Sequence, residues 1–469
     1  MAEVAAAAIA AEQVVATGVE AAAAVAIAAP TLPLKIALTH LPNPAPEGSP
    51  HPALCRSHHT LTVLRNKAYI FGGLDPSNTL CPPGIHTITL PSAPTATNPA
   101  SVAAPPTTNP DADTPPSETD YNPAYTAYPP FPLQSATTGE TLVPAPRAGH
   151  AACAWGDRYV LVHGGWGADG RAVEEGGCIW RWDCEELKWG KLRGDSQLGV
   201  GMAARGGHWM VGDGRGGRGF VVVVGGRGGS DGGEGGGEGE GGVGREAWMY
   251  DFHDMVWTEL PSLPATPLAA AYADGKVYII SRDGDGGAGL GGVVHYLDMK
   301  ESATERALPN ALVWESVSFP ANPLAPGPQP RAGGALVPLS TGHGREYLVY
   351  LFGCSDEEGA EKEYFSDIWT LQLPAHGRSA AAIKDKIREK LPRMESGEFR
   401  WAEAEIVPTE QITGEGKVHP GPRGLFAADS CLDGRGVVLW GGVNAKGEDE
   451  GDGWVLRLAH GYADNDRWE

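Results

Sequence analysis

Five segments of the chain repeat one order of residues, and this recurrence limits the possible folds more than anything else in the sequence. Each segment opens with an arginine and runs into a strand of small residues: RSHHTLTVL from Arg56, RAGHAACAW from Arg147, RGGHWMVGD from Arg205, RAGGALVPL from Arg331 and RGLFAADSC from Arg423. An apolar strand and a glycine turn follow each one, as KAYIFGG, RYVLVHGG, GFVVVVGG, YLVYLFGC and GVVLWGG. A sixth copy, LAAAYADGKVYIISRDG, keeps both strands but has neither the arginine nor the paired glycines. The next element carries an aromatic residue, Trp180, Trp248, Tyr296, Trp369 or Trp454, with His86 in the first copy. A second tryptophan, Trp189, Trp257, Trp314 or Trp401, opens an outer strand in four copies. Four strands per copy and six copies predict an all-β, six-bladed β-propeller with four-stranded antiparallel blades.

The slots make physical sense in a ring. The first strand lines the axis, where blades crowd and small side chains fit. The second lies between neighbours on both faces and reads as an unbroken apolar run. The double glycine turns the chain with positive φ, and the aromatic on the third strand fills the widening wedge between blades. No copy can bury its own faces; stacking around an axis does so. Residues 34–42, LKIALTHLP, resemble an outer strand that precedes the first copy, while the last copy stops short of one. They are expected to complete the last blade and leave no open edge.

These residues carry a resemblance. With its double glycine followed by spaced aromatics, the chain is similar to the kelch-repeat family of galactose oxidase-like propellers over roughly residues 35–468. The resemblance implies a protein-binding scaffold or substrate-recognition protein. Kelch proteins that recruit substrates for ubiquitination use arginines of the equivalent loops, which places Arg56, Arg147, Arg205, Arg331 and Arg423 as candidate partner-binding residues. The guanidinium fork suits an acidic or carboxylate-ended segment. The other reading of the same arginines is structural, as donors to backbone carbonyls between blades. A rival function on the same fold is an enzyme, such as a sugar mutarotase or a metal-dependent lyase-like protein using the central pocket.

Other chemistry finds little footing. His58, His150 and His208 read as one repeat position, which favours a structural role over a metal site. Glu363 and Asp367 match the first two members of a Glu-x3-Asp-x3-His iron set known in some plant kelch proteins, but Leu371 stands third. No Tyr–Cys and histidine set for copper stands out, and no G-x-S-x-G, H-E-x-x-H or P-loop occurs. No catalytic residue, metal or cofactor is nominated.

Composition narrows partners and compartment. Among 469 residues, 66 are glycine, which disfavours a helical bundle. The formal charge of −22 argues against nucleic acid as main partner. Seven cysteines without a C-x-x-C pair fit reduced thiols in a cytoplasmic or nuclear protein. No uninterrupted apolar run is long enough to span a membrane. Residues 1–33 are Ala-rich, carry Glu3, Glu12 and Glu20, and are expected to form a loosely helical or disordered tail. On that reading no recognisable adaptor domain is expected ahead of the ring. Residues 92–145 are expected to be a disordered Pro/Thr-rich insertion, and 226–245 a glycine-rich loop.

Sorting loops by face adds a charge pattern. The second-to-third-strand loops hold Asp169, Glu174, Glu175, Asp231, Glu234, Asp356, Glu363, Glu448 and Asp452, an expected acidic rim around the arginines. On the opposite face, residues 379–394 predict a short basic helix capped by Ser379, with Ile383, Ile387 and Leu391 on one side. It reads either as a helix resting on the propeller or as a partner-docking element.

Overall fold

The computed structural model describes residues 32–44, 51–91, 124–130, 142–192, 195–196, 202–213, 219–228, 243–281, 292–299, 312–319, 327–341, 344–355, 362–375, 379–388, 397–407 and 417–459. Six antiparallel sheets follow one another around an axis. Blade one comprises Thr60–Leu64, Lys67–Phe71, Ile85–Thr89 and Tyr125–Tyr128, and blade two Ala151–Trp155, Tyr159–His163, Ile179–Asp183 and Lys188–Leu192. Blade three is Trp209–Asp213, Phe220–Val224, Ala247–Asp251 and Val256–Leu260; blade four is Pro267–Ala273, Lys276–Ser281, Val293–Asp298 and Glu315–Ser318. Blade five is Ala335–Ser340, Glu346–Leu351, Ile368–Gln372 and Arg400–Glu403. Blade six has Ala427–Cys431, Gly436–Trp440 and Gly453–Leu458, and takes its fourth strand, Lys35–Leu41, from the start of the ring.

That strap pairs antiparallel with Gly453–Leu458 in the register Ile36↔Leu458 to Leu41↔Gly453, as the sequence predicts. His40 on the strap also bonds Asp452 of blade six at 3.1 Å. A short strand, Glu405–Val407, leaves blade five and runs parallel to the strap, so neighbouring blades are tied at their outer edge as well. Asp195–Ser196 does the same from blade two to the outer strand of blade three.

The cores show why no blade stands alone. Among the described residues six apolar clusters occur, and each spans one interface between neighbouring blades. The last of these interfaces joins Val438 and Trp440 of blade six to Leu61, Ile70 and Ile88 of blade one. Second strands such as Phe220–Val224 are buried at every position, which matches their β-branched runs. Indole N–H groups of the outer strands reach across the same seams: Trp257 to the Gly177 carbonyl at 2.7 Å and Trp314 to Pro261 at 2.9 Å.

Two expectations change. Tyr125–Tyr128 is the fourth strand of blade one, inside the stretch expected to be disordered; its two tyrosines fill the outer slot without the glycine punctuation that marks other copies. Residues 92–123 and 131–141, like most of the 226–245 loop and the 1–31 tail, lie outside the described residues. The helix forms over Ala380–Arg388, and the Ser379 hydroxyl accepts the Ala382 N–H at 3.2 Å. It docks through buried Ala381 and Ala382 and an ion pair of Asp385 with Arg345, leaving Ile383 and Ile387 53% and 38% exposed. The isoleucine side therefore faces outward. No helix among the described residues is long and apolar enough to cross a membrane, and all seven cysteines are free thiols.

Candidate functional site

Each arginine sits where the fourth-to-first-strand loop meets the axis, two residues before a left-handed backbone position. His58, Gly149, Gly207, Gly333 and Leu425 occupy that position with φ of 54°, 60°, 64°, 63° and 57°. Their amides join around the axis: Leu425 N–H to Gly333 O at 2.8 Å, His58 to Leu425 at 3.0 Å, Gly149 to His58 at 2.9 Å and Gly207 to Gly149 at 2.7 Å. This hydrogen-bonded collar spans five blades and skips blade four, the copy that lacks the motif.

The arginines brace the collar in two directions. Backward, the second turn glycine of the preceding blade donates to the arginine carbonyl: Gly73 to Arg147, Gly165 to Arg205, Gly353 to Arg423 and Gly442 to Arg56, each at 2.9 Å. The last of these links blade six to blade one. Here glycine is required, because a Cβ on Gly165, at φ 101°, would meet the His150 Cβ at 2.8 Å. Forward, the guanidinium donates to the carbonyl that ends the second strand of its own blade: Arg56 to Gly72 at 2.8 Å, Arg147 to Gly164 at 3.0 Å, Arg205 to Gly225 at 3.1 Å, Arg331 to Phe352 at 3.3 Å and Arg423 to Gly441 at 3.0 Å.

Four of the five also hold a carboxylate that a tryptophan shares. Glu175 takes Arg147 at 2.8 and 2.9 Å and the Trp180 indole at 2.6 Å. Glu246 takes Arg205 at 2.6 Å and Trp248 at 3.0 Å. Asp367 takes Arg331 at 2.9 Å and Trp369 at 2.6 Å, and Asp452 takes Arg423 at 3.0 Å and Trp454 at 3.3 Å. Burial alone would raise the Glu175 and Asp367 carboxyls, yet the arginine and indole bonds outweigh it and hold both below the usual range. Asp452 is held down likewise, against burial, by His40, Arg423 and Lys417. All five arginines are 0–2% exposed. The structure thus brings the predicted residues together on one face, with their guanidinium groups turned to the protein's own acceptors.

Sequence reading did not foresee these carboxylates as partners. Glu175 and Asp452 belong to the braces, not to an exposed acidic rim, while Asp169, Glu174, Glu363 and Glu448 do remain exposed on their loops. The available signal was an acid directly before the third strand, as at Glu246, Asp367 and Asp452. With its oxygens engaged by Arg331 and Trp369, Asp367 has this role in place of a metal ligand's.

Beneath the collar runs a channel of about 1150 Å³. Its upper end is lined by His59, His150 and His208, each 5% exposed. The equivalent histidine in blade one is therefore His59, three residues after its arginine, and not His58, which takes the left-handed place; the adjacent pair made the register ambiguous. Phe426 stands at the same position in blade six and Gly334 in blade five. His150 bonds the Thr60 hydroxyl at 2.8 Å and His208 bonds His163 at 3.0 Å, while neither ring nitrogen of His59 has a partner among the described residues. Burial, then nearby arginines, pushes His150 and His163 down to about 3, and burial carries His59 and His208 well below the ordinary value. The lower mouth carries Asp157, Asp213, Asp274, Asp433 and Arg65. Among the described residues no three His, Cys, Asp or Glu side chains are grouped to hold a metal ion.

No protein-family model matches the chain, and no curated protein matches it. Among solved structures, one titled "Structure of YjhT" is similar to it at 15% identity, covering 87% of this chain and 96% of that one with a TM-score of 0.47.

Proposed function

We propose that this chain is a kelch-like protein-interaction platform, working in the cytoplasm or nucleus, that receives an acidic or carboxylate-ended partner segment on the face built by Arg56, Arg147, Arg205, Arg331 and Arg423. The observation that carries this reading is the collar. A rigid, hydrogen-bonded ring presents loops of unlike length and sequence at its rim, the arrangement that protein-binding scaffolds use. Four of the arginines serve the surface by fixing those loops, since their charges are already met by Glu175, Glu246, Asp367 and Asp452. Direct contact with a partner falls to the exposed loop residues and to Arg56. The kelch resemblance rests on the paired glycines and spaced aromatics.

Because four of the five arginines already hold carboxylates of the ring, the test belongs on the loops. On this reading the acidic loops attract basic residues that flank the docked segment, so Asp169→Lys, Glu174→Lys and Glu448→Lys combined reverse exposed charges of two blades where those flanks would lie. Affinity purification with mass spectrometry should show partners lost from this variant and kept by Leu187→Ser with Met255→Ser, which alters exposed residues on the opposite face. Identical partner sets from wild type and the loop variant would contradict the proposal. One observation favours a second reading, a propeller enzyme of the mutarotase or lyase-like kind: the channel with three buried histidines at one end. A small molecule found bound there by crystal soaking, with turnover, would decide for it.

A further inference from the structure

Blade one keeps the arginine of the brace and lacks its other two members. The residue directly before the third strand is Glu246, Asp367 or Asp452 in blades three, five and six, and in blade one it is Gly84. The tryptophan that would share the acid is His86, whose Nδ1 bonds the Tyr125 hydroxyl at 2.8 Å. Arg56 is 1% exposed all the same. Its two Nη groups donate to the neutral carbonyls of Gly72 and Ala53, and its Nε has no acceptor among the described residues. Asp75, the acid on the neighbouring loop, accepts the Ser77 and Thr79 amides at 2.9 Å and forms no ion pair with Arg56.

A buried guanidinium whose hydrogen bonds among the described residues go only to carbonyls is costly, because neutral acceptors do not offset the loss of hydration of a full charge, and Asp75 acts on it only at a distance. Four sister blades meet that cost with a carboxylate. Around Arg56 lie further groups suited to receive one. His51 has a buried Nδ1 without a partner among the described residues, and its ring rests 4.7 Å from Tyr125, which stacks 6.0 Å from His86. All three of these side chains are half-buried, so the slot lies close to the surface.

We propose that blade one holds an open carboxylate site, in which one carboxylate from outside the ring docks on Arg56 in the slot that Gly84 leaves, with His51 as a second donor. The site stands on the geometry of the brace; only the identification of the carboxylate as a partner segment's rests on the platform reading.

Gly84→Asp supplies the missing acid from within. Gly84 has negative φ, and a Cβ there would meet the Tyr128 carbonyl at 3.2 Å, a fit needing a small adjustment. The experiment measures the thermal unfolding midpoint of the full chain in sodium acetate against sodium chloride at equal ionic strength. Wild type should show a saturable rise with acetate, as a ligand of the native state produces. Gly84→Asp should melt higher without acetate and lose the response. A wild type indifferent to acetate, or a Gly84→Asp variant that responds as wild type does, overturns the proposal. If Gly84→Asp does not fold, Arg56→Gln takes its place and must abolish the acetate response; a retained response overturns the site. A second arm uses the peptide acetyl-Gly-Gly-Glu with a free C-terminus and its C-terminal amide as probes. A shift with the free acid at lower concentration than acetate supports use by a partner segment. A peptide no better than acetate removes that use and leaves the acetate result to judge the site. Loss of partners from the loop variant, with the acetate response intact, separates the two readings.

Discussion

His59 is buried, and among the described residues neither ring nitrogen makes a hydrogen bond of normal geometry, at a position where blade six uses Phe426. Such a residue keeps its proton off in the native state, whereas the unfolded chain takes one up near pH 6.5. Burial holds the folded value well below the ordinary one, so the native state is fully favoured above about pH 6.5 and loses ground as pH falls below it. Each such histidine costs about 1.4 kcal/mol per pH unit within that window. His59→Phe should therefore flatten the fall in unfolding midpoint between pH 6.5 and pH 4.5, and an unchanged pH profile would show that His59 is not held neutral. The braces allow a second test at this scale. Asp367→Ala leaves the buried Arg331 guanidinium without its carboxylate, with only the Phe352 and Gln329 carbonyls to accept from it, and the Trp369 indole without its acceptor, and should cost about 3–5 kcal/mol in urea unfolding. A loss below about 1 kcal/mol would mean that the pair contributes no more than an exposed one.

At the scale of elements, the strands were legible because each copy repeats apolar runs and glycine turns in the same order. What escaped the sequence escaped for physical reasons. Tyr125–Tyr128 lies far from the rest of blade one along the chain and lacks a turn signal of its own. Glu175 enters its slot from four residues before the third strand, whereas Glu246, Asp367 and Asp452 stand next to theirs, so one carboxylate role has two spacings. In the helix Ala380–Arg388, periodicity identified an apolar side but not which side docks. The ion pair of Asp385 with buried Arg345 and the close fit of Ala381 and Ala382 decide that. Accordingly, Ile383→Ser with Ile387→Ser should change stability by no more than about 0.5 kcal/mol for each exposed site, while Ala382→Leu, crowding a packed seam, should cost about 1–3 kcal/mol. Chemical denaturation of both variants checks the pair; a larger loss from the isoleucine variant would reverse the docking side.

For the whole molecule, fold class, blade number and the closing strap were all readable, because a ring of incomplete wedges leaves the sequence few other ways to bury its second strands. The roles of the arginines were readable only as two alternatives, since burial and pairing depend on residues that come together from different loops. The central claim is closure: blade faces packed around the ring, with Lys35–Leu41 from the start of the chain completing blade six by pairing with Gly453–Leu458. Ala37 and Arg457 are directly paired partners in that register, and both are half-buried. The decisive measurement is oxidation of the Ala37→Cys, Arg457→Cys variant, followed by peptide mapping in a mass spectrometer. A disulfide joining positions 37 and 457 in the folded monomer is the predicted result. A strap that instead cross-links to another blade, or to a second copy, would contradict the closed ring.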